Sequence, residues 1–181
     1  HPSVDDTHLF GGIDIAATLN GRGIVRSRGM LARAQTVQLT MAERCPDDLS
    51  AKLAQHLDRA PGTTLFALDE GADAAEGAPA ALCERLAFQI TPDSTPPLNW
   101  RLSQPAEGTP LAQHSEADID ALVLAAEQFG IRSLRAPLFA LATARANATL
   151  EGRKAVSEED LGLAASLVYA HRATRLPPDE A

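Results

Sequence analysis

The run Val37-Gln38-Leu39-Thr40-Met41 alternates apolar and polar side chains, and after Ala42-Glu43-Arg44 it gives way to Pro46-Asp47-Asp48. Beyond these, Leu49, Leu53 and Leu57 recur at i, i+4 and i+8, until Pro61-Gly62 halts the pattern. A period near two followed by one near 3.6 predicts a strand over 37–41 and a helix opened by an Asp cap. Thr64 to Leu68 then carries the unbroken apolar run Leu65-Phe66-Ala67-Leu68, which suits a strand buried on both faces. Strand, helix and strand at this spacing predict a parallel sheet in an α/β fold.

Outward from that unit the chain changes character twice. Residues 1–36 are punctuated by Gly11-Gly12, Asn20-Gly21 and Gly29, around an apolar stretch from Ile13 to Leu19 that reads as one helix among loops. After the second strand comes an acidic loop, Asp69 to Gly77. Pro79 then opens a short helix through Leu82, Arg85 and Leu86, and Ala87 to Thr91 reads as a further strand. Prolines at 92, 96, 97, 105 and 110 bar a helix or inner strand from that segment. Past it, three helices are marked by Ser115 with Asp118, by Ser133 to about Leu150 closed by Gly152, and by Ser157 with Asp160. The expected organisation is an α/β core over 1–91, a Pro-rich connector over 92–110, a small helical subdomain over 111–175, and an acidic Pro-rich linker beginning at 176–181.

Composition narrows the function. Of 181 residues, 45% are hydrophobic and 22% charged, enough to bury a core, while aromatics are only 4%. Small aliphatic contacts must therefore supply the packing in a helix-rich fold. A net charge of -8 argues against sequence-independent binding to nucleic acid, which depends on cations neutralising phosphates. No apolar stretch approaches the roughly 20 residues of a membrane-spanning helix. Cys45 and Cys83 form neither a disulfide framework nor a C-x-x-C pair, which suits a reducing compartment. The first residue is His1 with no signal-peptide pattern, so the expectation is a chain taken from inside a longer polypeptide.

The chemistry-bearing residues are few. Lys52 and Lys154 are the only lysines and neither follows a glycine, so a phosphate-cradling G-x-x-x-x-G-K-[ST] loop is absent. Histidines 1, 8, 56, 114 and 171 lack the i, i+3 or i, i+4 pairing of a helical metal site. Glu43, directly after a strand, stands where nucleotide hydrolases keep an acidic pair for Mg²⁺, but its predecessor is Ala42. Arg85 and Arg135 suit contact with phosphate, though as isolated arginines they read in preference as members of surface ion pairs. The acidic loop with Asp69, Glu70, Asp73 and Glu76 reads as a solvated loop in preference to an oxygen-ligand cation site. The Gly21 to Gly29 loop with Arg22, Arg26 and Arg28 reads as a solvated hairpin tip in preference to an anion site.

Taken in order, several segments resemble the AAA+ module of magnesium chelatase, most closely that of its D subunits. They are Leu9-Phe10-Gly11-Gly12-Ile13-Asp14-Ile15-Ala16-Ala17-Thr18-Leu19, Arg28-Gly29-Met30-Leu31-Ala32-Arg33-Ala34, Leu82-Cys83-Glu84-Arg85-Leu86, and Leu150-Glu151-Gly152-Arg153 with Val156 to Leu161 and His171-Arg172. The resemblance implies a partial parallel-sheet core followed by a helical lid. It places Ala42-Glu43 at the acidic pair, Asp73 at a polar sensor, Arg85 at the arginine that reaches a neighbour's nucleotide, and Arg135 at the sensor arginine of the lid. Groups that serve a chain's own ATP are thus lost or altered, while Arg85 survives.

The implied function is that of a non-hydrolysing subunit that assembles with the ATPase I subunit in a ring. That complex inserts Mg²⁺ into protoporphyrin IX for (bacterio)chlorophyll synthesis, with a separate H subunit handling the porphyrin, in bacterial cytoplasm or plastid stroma. No cofactor is expected on this chain alone, with ATP and Mg²⁺ in the assembled complex. The alternatives are a fragment of an active MoxR-like AAA+ ATPase, which Ala42 and Asp73 disfavour, and an acidic α/β adaptor without a nucleotide role.

Overall fold

The computed structural model describes residues 1–21, 23–60, 62–73, 76–92, 105–106 and 108–175. The chain divides into two compact units, His1–Arg85 and Leu86–Ala181. Most of the Pro-rich segment (93–104 and 107), the expected linker over 176–181, and Arg22 of the basic loop lie outside the described residues.

In the first unit, α1 (Asp6–Phe10), β1 (Gly11–Ile13), α2 (Ile15–Asn20) and β2 (Arg26–Arg28) occupy the Gly-punctuated region. The helix expected over Ile13 to Leu19 is present as α2, begun two residues later because Ile13 ends β1, and α1 is a further short helix that was not expected. β1 and β2 pair antiparallel with Gly11 opposite Arg28, and the main chains of the two glycine motifs touch. A Cβ on Gly29 would lie 2.2 Å from the Phe10 carbonyl carbon, and one on Gly11 would lie 2.4 Å from Ser27 O. Gly11 also has φ +82, a conformation that side chains resist. The periodicity of Ile13 to Leu19 carries no trace of this contact because no side chain makes it.

β3 (Thr36–Leu39) and β4 (Thr64–Ala67) pair in parallel, Val37 opposite Leu65, joined through α3 (Asp47–Arg59). The strand–helix–strand expectation holds, with three differences. β3 stops two residues early because Met41 adopts φ 53, ψ 49, and a 3₁₀ turn over Ala42–Arg44 follows. Pro46 is the N-cap of α3 and gives no side-chain cap; Asp47 and Asp48 sit inside the first turn, where the helix dipole favours acids. Among the described residues the sheet is covered on one face. Leu39 and Leu65 are buried while Gln38 and Phe66 are exposed, since alternate strand residues face opposite ways and an all-apolar run conceals which side is covered. α4 (Ala80–Cys83) begins after Pro79, which is its N-cap.

The second unit holds α5 (Glu116–Gln128), α6 (Arg135–Leu150) and α7 (Glu158–Tyr169). Residues 87–91 form no strand. α6 places Ala136, Ala140, Ala144 and Ala148 at four-residue spacing, each fully buried. Methyl groups along this ridge let the neighbouring helices approach closely, which is how a chain poor in aromatics fills its core. The ridge packs with Leu122 and Ala126 of α5 and with Ala164, Val168 and Tyr169 of α7. Both expected capping boxes form, Ser115 with Asp118 and Ser157 with Asp160. α5 is followed by its C-cap Phe129 and by Gly130, with φ +69, and the carbonyls at its end accept from Arg175 and Thr174.

Asp160 does more than cap. Its side chain has no exposed surface, and it accepts from Asn147 Nδ2 at 2.7 Å, Arg153 Nη2 at 2.6 Å, and the Ser157 N–H and hydroxyl at 2.9 and 2.8 Å. Burial alone would raise its pKa; the hydrogen bonds from Asn147, Ser157 and Arg153 outweigh it and hold the carboxyl at about 2. A folded-state value below the unfolded one means that the stabilisation is complete above about pH 4 and is lost as pH falls through 2. Asp160→Ala is expected to lower stability by about 3 kcal/mol at pH 7, and by much less near pH 2. Chemical denaturation of the two proteins at both pH values checks this.

Candidate functional site

Glu43 and Arg85 belong to the first unit and Arg135 to the second. Glu43 and Arg85 share no hydrogen bond or ion pair.

Glu43 sits in the 3₁₀ turn that follows β3, beside the fully buried Ala42. Its Oε2 accepts the main-chain N–H of Glu70 at 3.0 Å, and its Oε1 lies 3.5 Å from Arg44 Nε. The side chain is 6% exposed. The carboxylate thus ties the turn after β3 to the loop after β4, alongside main-chain bonds from Ala42 N to Leu68 O and from Leu68 N to Leu39 O. A methyl group next to a carboxylate already spent on the main chain does not fit a site for a divalent cation, which would need two or more open oxygen donors.

The acidic loop is organised in the same way. Asp69 accepts from the N–H groups of Gly71 at 2.9 Å and Ala78 at 2.7 Å, and Asp73 O accepts from Glu76 N. Among the described residues no three His, Cys, Asp or Glu side chains gather to hold a metal ion.

Arg85 follows α4 and is the most constrained of the three. Its Nε donates to Asp58 Oδ1 at 3.0 Å and its Nη2 to Asp58 Oδ2 at 2.6 Å, a two-pronged pair, while Nη1 donates to Ala81 O at 2.9 Å. The hydrogen bonds it donates to Asp58 raise the guanidinium pKa further above its ordinary value, so the group carries its charge at any working pH. Asp58 stands in the last turn of α3, 27 residues from its partner. No local pattern links them, and only the parallel crossover brings the end of α3 to α4. Arg135 opens α6, its N–H donating to Ser133 Oγ at 3.2 Å, and is half-buried.

Among the described residues each unit has an open cleft, and neither is lined by Glu43, Arg85 or Arg135. The first, of about 420 Å³, is lined by Thr7, His8, Arg28 and Arg33 around Gly29. The second, of about 330 Å³, runs beside Val123, Ile131, Leu134 and Pro137.

Comparison with known proteins gives these features a setting. Residues 119–181 match the AAA lid domain family. The fold resembles the solved structure of an ATPase candidate from Cytophaga hutchinsonii with a TM-score of 0.66, covering 99% of this chain and 69% of that one at 17% identity. The fold is a mixed α/β part with a short parallel sheet, followed by helices that match the AAA lid family. By sequence, the chain is a homologue of the magnesium-chelatase 60 kDa subunits. It is 43% identical to that of Cereibacter sphaeroides over 184 residues, covering 96% of this chain and 32% of the relative. It is 39% identical to that of Rhodobacter capsulatus over 188 residues, covering 99% and 33%. The chain thus spans about a third of the length of these relatives. Among the described residues no helix is long and apolar enough to cross a membrane.

The role assigned to Glu43 separates two substitutions. Glu43→Gln retains an acceptor for the Glu70 N–H and is expected to change stability by less than about 1 kcal/mol, whereas Glu43→Ala orphans that donor and costs about 1–3 kcal/mol. Urea unfolding of the two variants tests this.

Proposed function

We propose that this chain is the AAA-type part of a magnesium-chelatase D-type subunit, one that does not hydrolyse ATP itself. In this reading it joins an ATPase I subunit in a ring whose ATP turnover drives insertion of Mg²⁺, the substrate ion, into protoporphyrin IX held by an H subunit. The relatives' names support the chelatase assignment. The observation that carries the division of labour is the contrast between the two candidate groups of the first unit. Glu43, at the position that would serve the chain's own nucleotide, is consumed by the main chain. Arg85, at the position that would serve a neighbour's, is a fixed cation with hydrogen-bond donors to spare.

The physical role of such an arginine is to meet charge that develops on a transferring phosphoryl group. An arginine supplied in trans is worth about 10³ to 10⁵ in rate where the partner lacks one. Arg135, at the start of α6, would sense nucleotide from the lid. Bacterial cytoplasm or plastid stroma suits the assignment.

The test uses the full-length polypeptide mixed with the ATPase subunit. Light scattering is expected to find a discrete joint complex that depends on Mg-ATP, and Arg85→Ala is expected to preserve that complex while lowering its ATPase turnover at least tenfold. Components that stay apart in Mg-ATP would overturn the assembly reading. Unchanged turnover in the Arg85→Ala complex would leave an adaptor without a nucleotide role.

A further inference from the structure

Arginine has five N–H donors in one plane, and how they are shared decides what the group is free to do. In Arg85 the Nε and one N–H of Nη2 are taken by the two oxygens of Asp58, and one N–H of Nη1 is taken by Ala81 O. Two donors remain, one on each terminal nitrogen, and each can donate to an oxygen of a phosphate group. Asp58 thus grips the side of the guanidinium and leaves its tip.

The grip is stiff. Asp58 belongs to the 13-residue helix α3, and Ala81 belongs to α4, four residues before Arg85. The Arg85 side chain is 21% exposed and that of Asp58 is 33% exposed. A latch that hid Arg85 until release would occupy every terminal N–H, and the carboxylate takes only one of them. An unbraced arginine would also surrender rotamer freedom each time it met its target, a cost that the pairing with Asp58 removes in advance.

We infer that Asp58 is a positioning residue for Arg85, holding the side of its guanidinium so that the Nη1 and Nη2 tip is presented to the phosphoryl oxygens of a nucleotide bound by an adjacent subunit. This rests on the reading of Arg85 as an arginine acting in trans. The carboxylate touches no nucleotide; its effect runs entirely through the geometry of Arg85. Misplacement of a catalytic group by about 1 Å can cost on the order of 10²-fold in rate, which sets the scale of what Asp58 protects.

The experiment compares Asp58→Ala, Arg85→Ala and the double variant in the full-length polypeptide, each saturating the ATPase subunit so that turnover is read per joint complex, with complex formation verified by light scattering. Asp58→Ala is expected to lower kcat for ATP about tenfold or more with KM unchanged, and the double variant is expected to be no slower than Arg85→Ala. Asp58→Glu, which keeps a carboxylate within reach, is expected to recover part of the loss. If Arg85→Ala slows turnover but Asp58→Ala leaves kcat per complex as in the wild type, altering only thermal stability, the pair is structural and the inference falls alone. A rise in kcat with Asp58→Ala would also overturn it, because the pair would then be sequestering Arg85. If Arg85→Ala itself has no effect, the underlying reading of Arg85 fails, and the inference with it.

Discussion

The second unit depends on a carboxylate that water does not reach. Asp160 gathers Asn147 from α6, Arg153 from the connection between α6 and α7, and Ser157 at the start of α7, so one side chain fixes both the angle of the turn and the beginning of the last helix. A charge at such depth is tolerable only because several donors converge on it. The alanine ridge of α6 is the complementary condition. It supplies close approach but little directionality, since methyl groups slide past one another readily, and Asp160 supplies the register that the ridge lacks. In the same unit an isolated parallel bridge ties the residues before α5 to those before α7. Ala112 N donates to Thr149 Oγ1 and Arg145 Nε donates to Ala112 O, while Gln113 pairs with Ala155.

Features set by near neighbours in the chain were legible from the sequence. The two Ser-x-x-Asp boxes, the period of α3 and the strand on either side of it all follow from spacings of a few residues, and the structure has them. What escaped was set at a distance or by the main chain alone. The contact of Gly11 with Gly29 left no mark on hydrophobic periodicity, so the strand before the expected helix went unread. Met41 turns left-handed although nothing in its side chain asks for it. The run Leu65-Phe66-Ala67-Leu68 is apolar throughout and could not declare that Phe66 lies on an exposed face. Of the site residues, Glu43 and Arg85 were visible as types in suitable places, yet their partners were not: the Glu70 N–H and the Asp58 carboxylate each lie 27 residues away.

Those partners give the two groups opposite standing. Glu43 faces inward and fastens two loops at the carboxyl ends of β3 and β4, the edge of a parallel sheet at which ligands commonly sit. Using that edge as a joint makes the turn beside Ala42 part of the scaffold. Arg85 stands at the end of a helix with its charge intact and part of its donor set unclaimed. Glu43 is held by the Glu70 N–H with Arg44 beside it, and Arg85 by Asp58 and Ala81 O, but turning a carboxylate onto the main chain ties it down, whereas holding a guanidinium by its side aims it. That asymmetry follows from the shape of the guanidinium, which has more than one face able to form a paired contact.

One consequence of the lid's packing concerns light rather than binding. The chain has a single tyrosine, Tyr169. Its ring is buried against Phe129, and its hydroxyl donates to Leu122 O at 2.9 Å. Burial pushes the phenol up to about 12. Tyrosine ultraviolet absorption therefore reports on one place only, the seam where α7 meets α5. Its phenolate band in alkaline solution is an optical signature of that seam coming apart, available without any label.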